Sequence, residues 1–225
     1  MIPALLGSKL PFSMHITITC GPSYEPIDYV RRLTNFSTGE LGVLLAASMT
    51  EAGHRVSCFK GESATYCQAG VEVQNFTTNE DLVSKLAGHA RTSPCDVFFH
   101  IAALNDFRVK KVHDENGTEL EKGKISSSTK GLTIQLEPAV KIISLLPKLF
   151  TNAKIVGWKY GVDGTRDDLL ALGRKQMALT GTTACVVNGP AWGKGFGLLQ
   201  GENVEEVASK KELCSLLVNR VSSLR

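Results

Sequence analysis

The chain has 225 residues, of which 43% are hydrophobic and 21% charged, and a formal net charge of +3. That length carries one large α/β domain or two small ones with a full core. So small and dispersed a positive charge gives no reason to expect nucleic acid, and no apolar run is long enough to span a bilayer.

Residues 1–13, MIPALLGSKLPFS, lack the charged start and long apolar stretch of a signal peptide. They read as a loosely attached leader ahead of a single domain over 14–225, in a cytoplasmic protein. His15 to Cys20 alternates and is rich in β-branched residues, which predicts the first strand. It empties into a loop carrying Ser23, Glu25, Asp28, Arg31, Asn35, Ser37 and Thr38, and then into a helix beginning near Ser37. The free N–H groups and the dipole of a helix start favour an anion. Gly21, Ser37, Thr38 and Gly39 are therefore candidates for a phosphate cradle. Ser37 with Glu40 three residues on has the form of a capping box, so an ordinary capped helix is the alternative. Leu41 to Gly53 carries the helix to a glycine stop.

His54 to Phe59 and Val71 to Phe76 are the next predicted strands, followed by a helix over Glu80 to Ala90. The run Asp96 to Ala103 is almost wholly apolar, the pattern of a strand covered on both faces in a parallel sheet. Residues 104–131 are polar and form a long excursion, which predicts a hairpin or a flexible flap with a functional role. Leu132 to Glu137 returns as a strand, and Pro138 to Phe150 reads as a helix weakened by Pro147. A strand over Lys154 to Tyr160, a helix over Asp167 to Leu179 and a strand over Thr183 to Asn188 follow. A glycine-rich loop then leads to a short edge strand, and Val204 to Leu224 ends in a helix. The alternation predicts a Rossmann-like, doubly wound, mainly parallel α/β sheet. Its ligand loops follow the strand ends, at 20–38, 102–131, 157–165 and 188–197. The first strand is not followed by G-x-G-x-x-G and no Tyr-x-x-x-Lys pair stands out, which argues against a nicotinamide-dependent reductase.

Cys20, Cys58, Cys67, Cys95, Cys185 and Cys214 are scattered, without C-x-x-C or a histidine-paired spacing, so zinc is not expected. Most sit in apolar runs and read as buried, reduced thiols.

The motifs keep a fixed order. Thr19-Cys20-Gly21-Pro22-Ser23-Tyr24-Glu25-Pro26-Ile27-Asp28 leads to Val30-Arg31, Asn35-Phe36-Ser37-Thr38-Gly39 and Gly42. Ala102-Ala103-Leu104-Asn105-Asp106-Phe107, Lys124-Ile125, Ile155-Val156-Gly157-Trp158-Lys159 and Val186-Val187-Asn188 follow. With these, nearly the whole chain from His15 on resembles the phosphopantothenoylcysteine synthetase family. These phosphopantothenate–cysteine ligases of coenzyme A biosynthesis are the ligase part of the DNA/pantothenate metabolism flavoproteins. The resemblance implies a homodimer, Mg²⁺, and a nucleoside triphosphate, ATP or CTP, as co-substrate. It implies that the carboxylate of 4′-phosphopantothenate is activated as an acyl-nucleotide, which cysteine then attacks. No decarboxylase sequence is read in this chain, so FMN is not expected. The resemblance assigns no metal ligands.

By the same resemblance Asn35, Lys124 and Arg31 are catalytic. Asn35, whose side-chain amide can donate to a developing oxyanion without titrating, would lie beside the acyl-nucleotide, Arg31 would hold cysteine or stabilise the intermediate, and Lys124 would face phosphates or the transition state. Gly21, Ser23, Ser37, Thr38, Gly39, Ala102, Ala103, Asp106 and Trp158 would bind the nucleotide and its phosphates, Trp158 by stacking on a base. From the residues alone the alternatives are a turn cap for Asn35, solvated side chains for Arg31 and Lys124, a turn residue for Asp106 and a core aromatic for Trp158. Lys124-Ile125-Ser126-Ser127 and Trp158-Lys159 look closer to the ATP-using type. Pro22, Gly161-Val162 and Val140-Lys141-Ile142 depart from the family pattern. They leave open a nucleotide-binding member without ligase activity, or one with a different acid or amine substrate.

Overall fold

The computed structural model describes residues 13–121 and 123–224. Apart from Ser13, the expected leader lies outside the described residues. Strand β1 (His15–Cys20) leads into a small hairpin of β2 (Tyr24–Pro26) and β3 (Arg32–Thr34), then helix α1 (Glu40–Glu51). β4 (Arg55–Gly61), β5 (Val73–Phe76), α2 (Asn79–Thr92) and β6 (Val97–His100) follow. β7 (Phe107–His113) and β8 (Thr133–Pro138) form a second hairpin, and α3 (Leu146–Leu149) is a single turn. The chain ends with β9 (Lys154–Tyr160), α4 (Arg166–Thr180), β10 (Ala184–Asn188), β11 (Phe196–Gln200), β12 (Asn203–Val207) and α5 (Lys210–Arg220).

Eight strands make one sheet in the order β12-β11-β10-β9-β6-β1-β4-β5, with only the pairings of β11 antiparallel. The expected doubly wound, mainly parallel fold is thus present. The chain runs from β1 outward through β4 and β5, then returns to β6 and runs the other way through β9 and β10. The order reverses between β1 and β6, and ligands bind in such sheets in the crevice beyond the strand ends at that point.

Alternation within the strands explains why both faces are covered. Ile16, Ile18, Val97 and Phe99 face α1 and α5, where Val43, Leu45, Met49, Leu213 and Leu217 are buried. Phe98 points the other way, to Phe59, Phe76, Leu82, Leu86, Ile142 and Leu146 under α2 and α3. A strand with two apolar neighbourhoods has no polar face to show, hence the unbroken run in β6. Four cysteines, Cys20, Cys58, Cys185 and Cys214, are buried, and all six are free thiols. No helix of the described residues is long and apolar enough to cross a membrane.

Several elements differ from expectation. The loop after β1 contains the β2–β3 hairpin. Helix α1 begins at Glu40, not near Ser37, and the Ser37–Glu40 capping box does not form. Its cap is Gly39, at φ 77° and with no side-chain bond. The Ser37 N–H donates instead to the Asn35 carbonyl (3.0 Å), and the Glu40 carboxylate pairs with Lys210 at the start of α5. The capping box belongs to α4, between Thr165 and Asp168. Residues 138–150 give only a 3-10 turn and the one-turn α3, since Pro147 admits no longer helix. β11 is not the edge strand, because β12 covers it. The adjacent acids of β12 are matched from neighbouring helices, Glu205 by Arg220 (2.8 Å) and Glu206 by Arg166. In the excursion, a hairpin is present as expected, but its second arm extends to Pro138 and its strands form a sheet of their own.

Helix α1 lies so close to β1 that a Cβ on Gly42 would fall 2.1 Å from Cys20 Cβ. Gly42→Ala should therefore destabilise the protein by about 1–3 kcal/mol through overpacking. The urea midpoint should fall with an unchanged slope. An unchanged midpoint would mean that the helix has room to move away.

Candidate active site

The backbone joins the ends of β1 and β6 beyond the sheet itself. The Ile101 N–H donates to Thr19 O (2.9 Å) and the Ala103 N–H to Gly21 O (2.9 Å). Pro22 and Ala103 form a parallel bridge, and the Ser23 N–H reaches Ala103 O at 3.4 Å. Ser23 is fully buried, and its hydroxyl accepts the Asn105 N–H at 2.9 Å. Asn79, nine-tenths buried or more at the start of α2, donates to Asn105 O (2.9 Å) and Val140 O (3.3 Å). Gly21, Ser23, Ala102, Ala103 and Asn105 thus belong to one seam at the point where strand order reverses.

Asn35 closes this seam from the β3 side. Its Nδ2 donates to Ala103 O and Leu104 O, both at 3.0 Å. Both amide hydrogens are spent, so the group that an exposed Asn35 offers a ligand is its oxygen, an acceptor. The expected role as donor to a developing oxyanion does not fit this geometry.

Gly21 (φ 75°) and Gly39 (φ 77°) meet under the loop after β4. A Cβ on either would lie 2.7 or 3.0 Å from Ala64 Cβ. Ser37 is half-buried and Thr38 exposed, and the Thr38 hydroxyl accepts the Glu40 N–H at 3.3 Å. The expected cradle is therefore a packed backbone turn whose outer rim is Ser37 and Thr38. Asp106 is exposed and paired with Lys141. Trp158 lies on β9, beside β6, and packs against the core under α1 and α5 while its indole N–H has no partner.

Asp28 links Arg31 to the backbone at Ile125, the residue after Lys124. Asp28 Oδ1 accepts the Val30 N–H (2.8 Å) and the Arg31 N–H (2.6 Å). Its Oδ2 takes the Arg31 guanidinium (2.7 Å) and the Ile125 N–H (3.1 Å), from the residue next to Lys124. Burial opposes the charge on Asp28, but the three backbone N–H groups and the guanidinium outweigh it and hold the carboxyl below its ordinary range. The Arg31 side chain is 42% exposed and that of Asp28 0%. Screening therefore weakens the ion pair, and the N–H bonds count for more. The turn itself was readable from the sequence, since an Asp commonly accepts the N–H two and three residues on. Glu25, three residues earlier, is also buried. Burial pushes its carboxyl up and Glu80 adds to this, against the Val109 N–H and Arg108. Arg31 and Asn35 flank the three residues of β3, so the Ile125 contact and the seam contact lie within about 13 Å along the strand.

The profile of the DNA/pantothenate metabolism flavoprotein C-terminal domain matches residues 12–222. The chain belongs to this family. Among curated relatives it is 29% identical over 175 residues to the coenzyme A biosynthesis bifunctional protein CoaBC of Thermococcus kodakarensis, covering 77% of this chain and 40% of that one. It is 29% identical over 188 residues to CoaBC of Bacillus subtilis, covering 81% and 42%. The chain thus spans about two fifths of the length of these relatives. Among solved structures, the DNA/pantothenate metabolism flavoprotein of Streptococcus pneumoniae shares the fold with a TM-score of 0.82 at 22% identity, over 95% of this chain and all of that one. A Cab2 mutant in complex with phosphopantothenate-cysteine has a TM-score of 0.73 at 17% identity, over 94% and 87%. In this family member Asn35 and Ala103, which stand in separate motifs of the sequence, touch each other.

His100 lies directly under the seam, with Nδ1 2.7 Å from Thr19 Oγ1. Burial pushes its imidazole from 6.5 down to about 4. The unfolded chain binds the proton first, so stability is lost as pH falls from about 6.5 to about 4. The slope should reach up to about 1.4 kcal/mol per pH unit. Burial lowers His54 and His89 too, with the same sign, while the raised Glu25 acts in the opposite sense above 4.5, within the same range. Urea midpoints across this range should fall with acid in the wild type, and less steeply in His100→Gln. Equal slopes would remove His100 from the account.

Proposed function

We propose that this family member joins 4′-phosphopantothenate to cysteine through an acyl-nucleotide. The substrate carboxylate oxygen attacks the α-phosphorus of the nucleotide and pyrophosphate leaves. The cysteine amine then attacks the acyl carbon, nucleoside monophosphate leaves, and the amine proton passes to solvent. Neither step needs a protein nucleophile, so positioning and charge stabilisation carry the catalysis. The observation that carries this reading is the double hydrogen bond from Asn35 to Ala103 O and Leu104 O, which fixes an outward amide oxygen at the switch point. That oxygen accepts the amine N–H and aims the nitrogen at the acyl carbon. Arg31 and Lys124, held at the other end of β3, supply positive charge to the leaving phosphates. Ser37 and Thr38 offer hydroxyls to the nucleotide, Asp106 and the backbone at Ala102 and Ala103 border it, and Trp158 faces its base.

ATP is the nucleotide we assign, on the Lys124-Ile125-Ser126-Ser127 and Trp158-Lys159 signatures. Among the described residues no three His, Cys, Asp or Glu side chains gather to hold a metal. This fits Mg²⁺ arriving on the triphosphate, since Mg²⁺ keeps its waters and binds through substrate phosphates. Its contribution there is to neutralise phosphate charge. A cytoplasmic setting agrees with the free, mostly buried thiols.

The working unit is a homodimer in this reading. On one face of the second hairpin Phe107 and Val109 stand opposite Pro138 and Leu136. Phe107 is 54% and Leu136 44% exposed. Leu136→Asp should convert a dimer to a monomer in sedimentation velocity, and an unaltered species would place the interface elsewhere.

With Mg²⁺, ATP, phosphopantothenate and cysteine, the protein should release pyrophosphate and form the amide. Asn35→Ala should slow amide formation by about a hundredfold, because it misplaces the amine. Lys124→Gln should slow pyrophosphate release comparably. No pyrophosphate with either ATP or CTP would overturn the ligase reading. Tight nucleotide binding without turnover would point to the non-catalytic alternative.

A further inference from the structure

We propose that Asp28 is a positioning residue whose second carboxylate oxygen clamps the Lys124 segment against Arg31. The role given to Lys124 rests on the ligase reading above, whereas the clamp itself is a matter of geometry. The two oxygens of Asp28 do different work. Oδ1 closes a local turn through the N–H groups of Val30 and Arg31. Oδ2 reaches 97 residues along the chain to the Ile125 N–H, and also takes the Arg31 guanidinium. Arg31 then extends toward Ile125 O, at 3.5 Å, so Ile125 is gripped at both its N–H and its C=O. The side chain of Ile125 is buried, while Lys124 is exposed.

This arrangement needs a carboxylate. A carboxylate has four acceptor sites and no donor, and four donors converge on it here. Asparagine forms the same local turn as well as aspartate does. It would, however, turn an N–H₂ toward the Ile125 N–H and the guanidinium, donors facing donors. Asp28→Asn therefore separates the two functions, keeping the turn and releasing the clamp.

Hydrogen–deuterium exchange on the full chain reads this directly. In Asp28→Asn, exchange in peptides covering Ile125 should rise by about tenfold, as expected for loss of one hydrogen bond to a charged group. Peptides covering Val30 and Arg31 should exchange as in the wild type. Unchanged exchange at Ile125 would overturn the proposal, as would loosening of both regions together, which would make Asp28 a turn former only. Ile125→Pro removes the clamped N–H and leaves the Asp28–Arg31 pair, and should lower kcat by about ten- to a hundredfold, as misplacement of a reacting group does. Wild-type kcat in that variant would also overturn it. In the Lys124→Gln background, Asp28→Asn should cost little more, whereas fully additive losses would show that Asp28 does not act through Lys124. A wild-type protein that releases no pyrophosphate defeats the ligase reading and leaves the exchange at Ile125 to decide the clamp.

Discussion

Parallel strands β1 and β6 lie side by side, and their chains would diverge at the carboxyl ends if nothing held them. The seam from Thr19–Ile101 through Gly21–Ala103 to Ser23–Asn105 prevents this. It extends the parallel pairing past the sheet into two loops, satisfying backbone groups that would otherwise be buried without partners. Two glycines at positive φ let the chain turn away there at a distance that a side chain would not permit. Asn35, Ser37, Thr38 and Asp106 are placed by that seam. Asn35 is pinned to it, Ser37 and Thr38 follow from the turn at Gly39, and Asp106 continues the β6 loop.

A second constraint works at a longer range. Glu25 and Asp28, in one Glu-Pro-Ile-Asp tetrad, are both buried, and Asp28 meets the excursion after β6 at Ile125 while Glu25 Oε1 has no partner. Their buried charges would be costly without partners. Asp28 is compensated fully and stays charged, while burial pushes Glu25 up toward its neutral form. The excursion therefore docks through the Ile125 N–H on a fixed carboxylate. Such contacts tolerate side-chain variation in the docked segment, which is consistent with a loop whose composition is polar and irregular.

Strands and helices with a clear period were legible in the sequence. β1, β6, β9, α4 and β10, and the body of α1, lie where alternation, the apolar runs and the glycine stops put them. Misreadings arose where short-range signals competed. The Ser37–Glu40 spacing looked like a cap, but glycine at 39 and the pull of Lys210 on Glu40 took the helix start elsewhere. Strand β12 was hidden because two adjacent glutamates argue against a strand until Arg166 and Arg220 are brought over them. The β2–β3 hairpin was read as loop because its strands have only three residues each.

The sequence alone was enough for the class of fold and for the family motifs, because a buried strand and an amphipathic helix record their surroundings in residue period. It also singled out Asn35, Arg31 and Lys124 as chemistry-bearing residues. Only the tertiary structure decided which partners their segments meet. It spent both hydrogens of Asn35 on the β6 loop, leaving an acceptor where a donor was expected. It also tied Asp28, which holds Arg31, to the Ile125 N–H next to Lys124, across 97 residues. Hydrogen bonds between segments so far apart leave no periodic trace in a sequence. Which atom of a side chain is left for a ligand depends on partners that only the fold brings near.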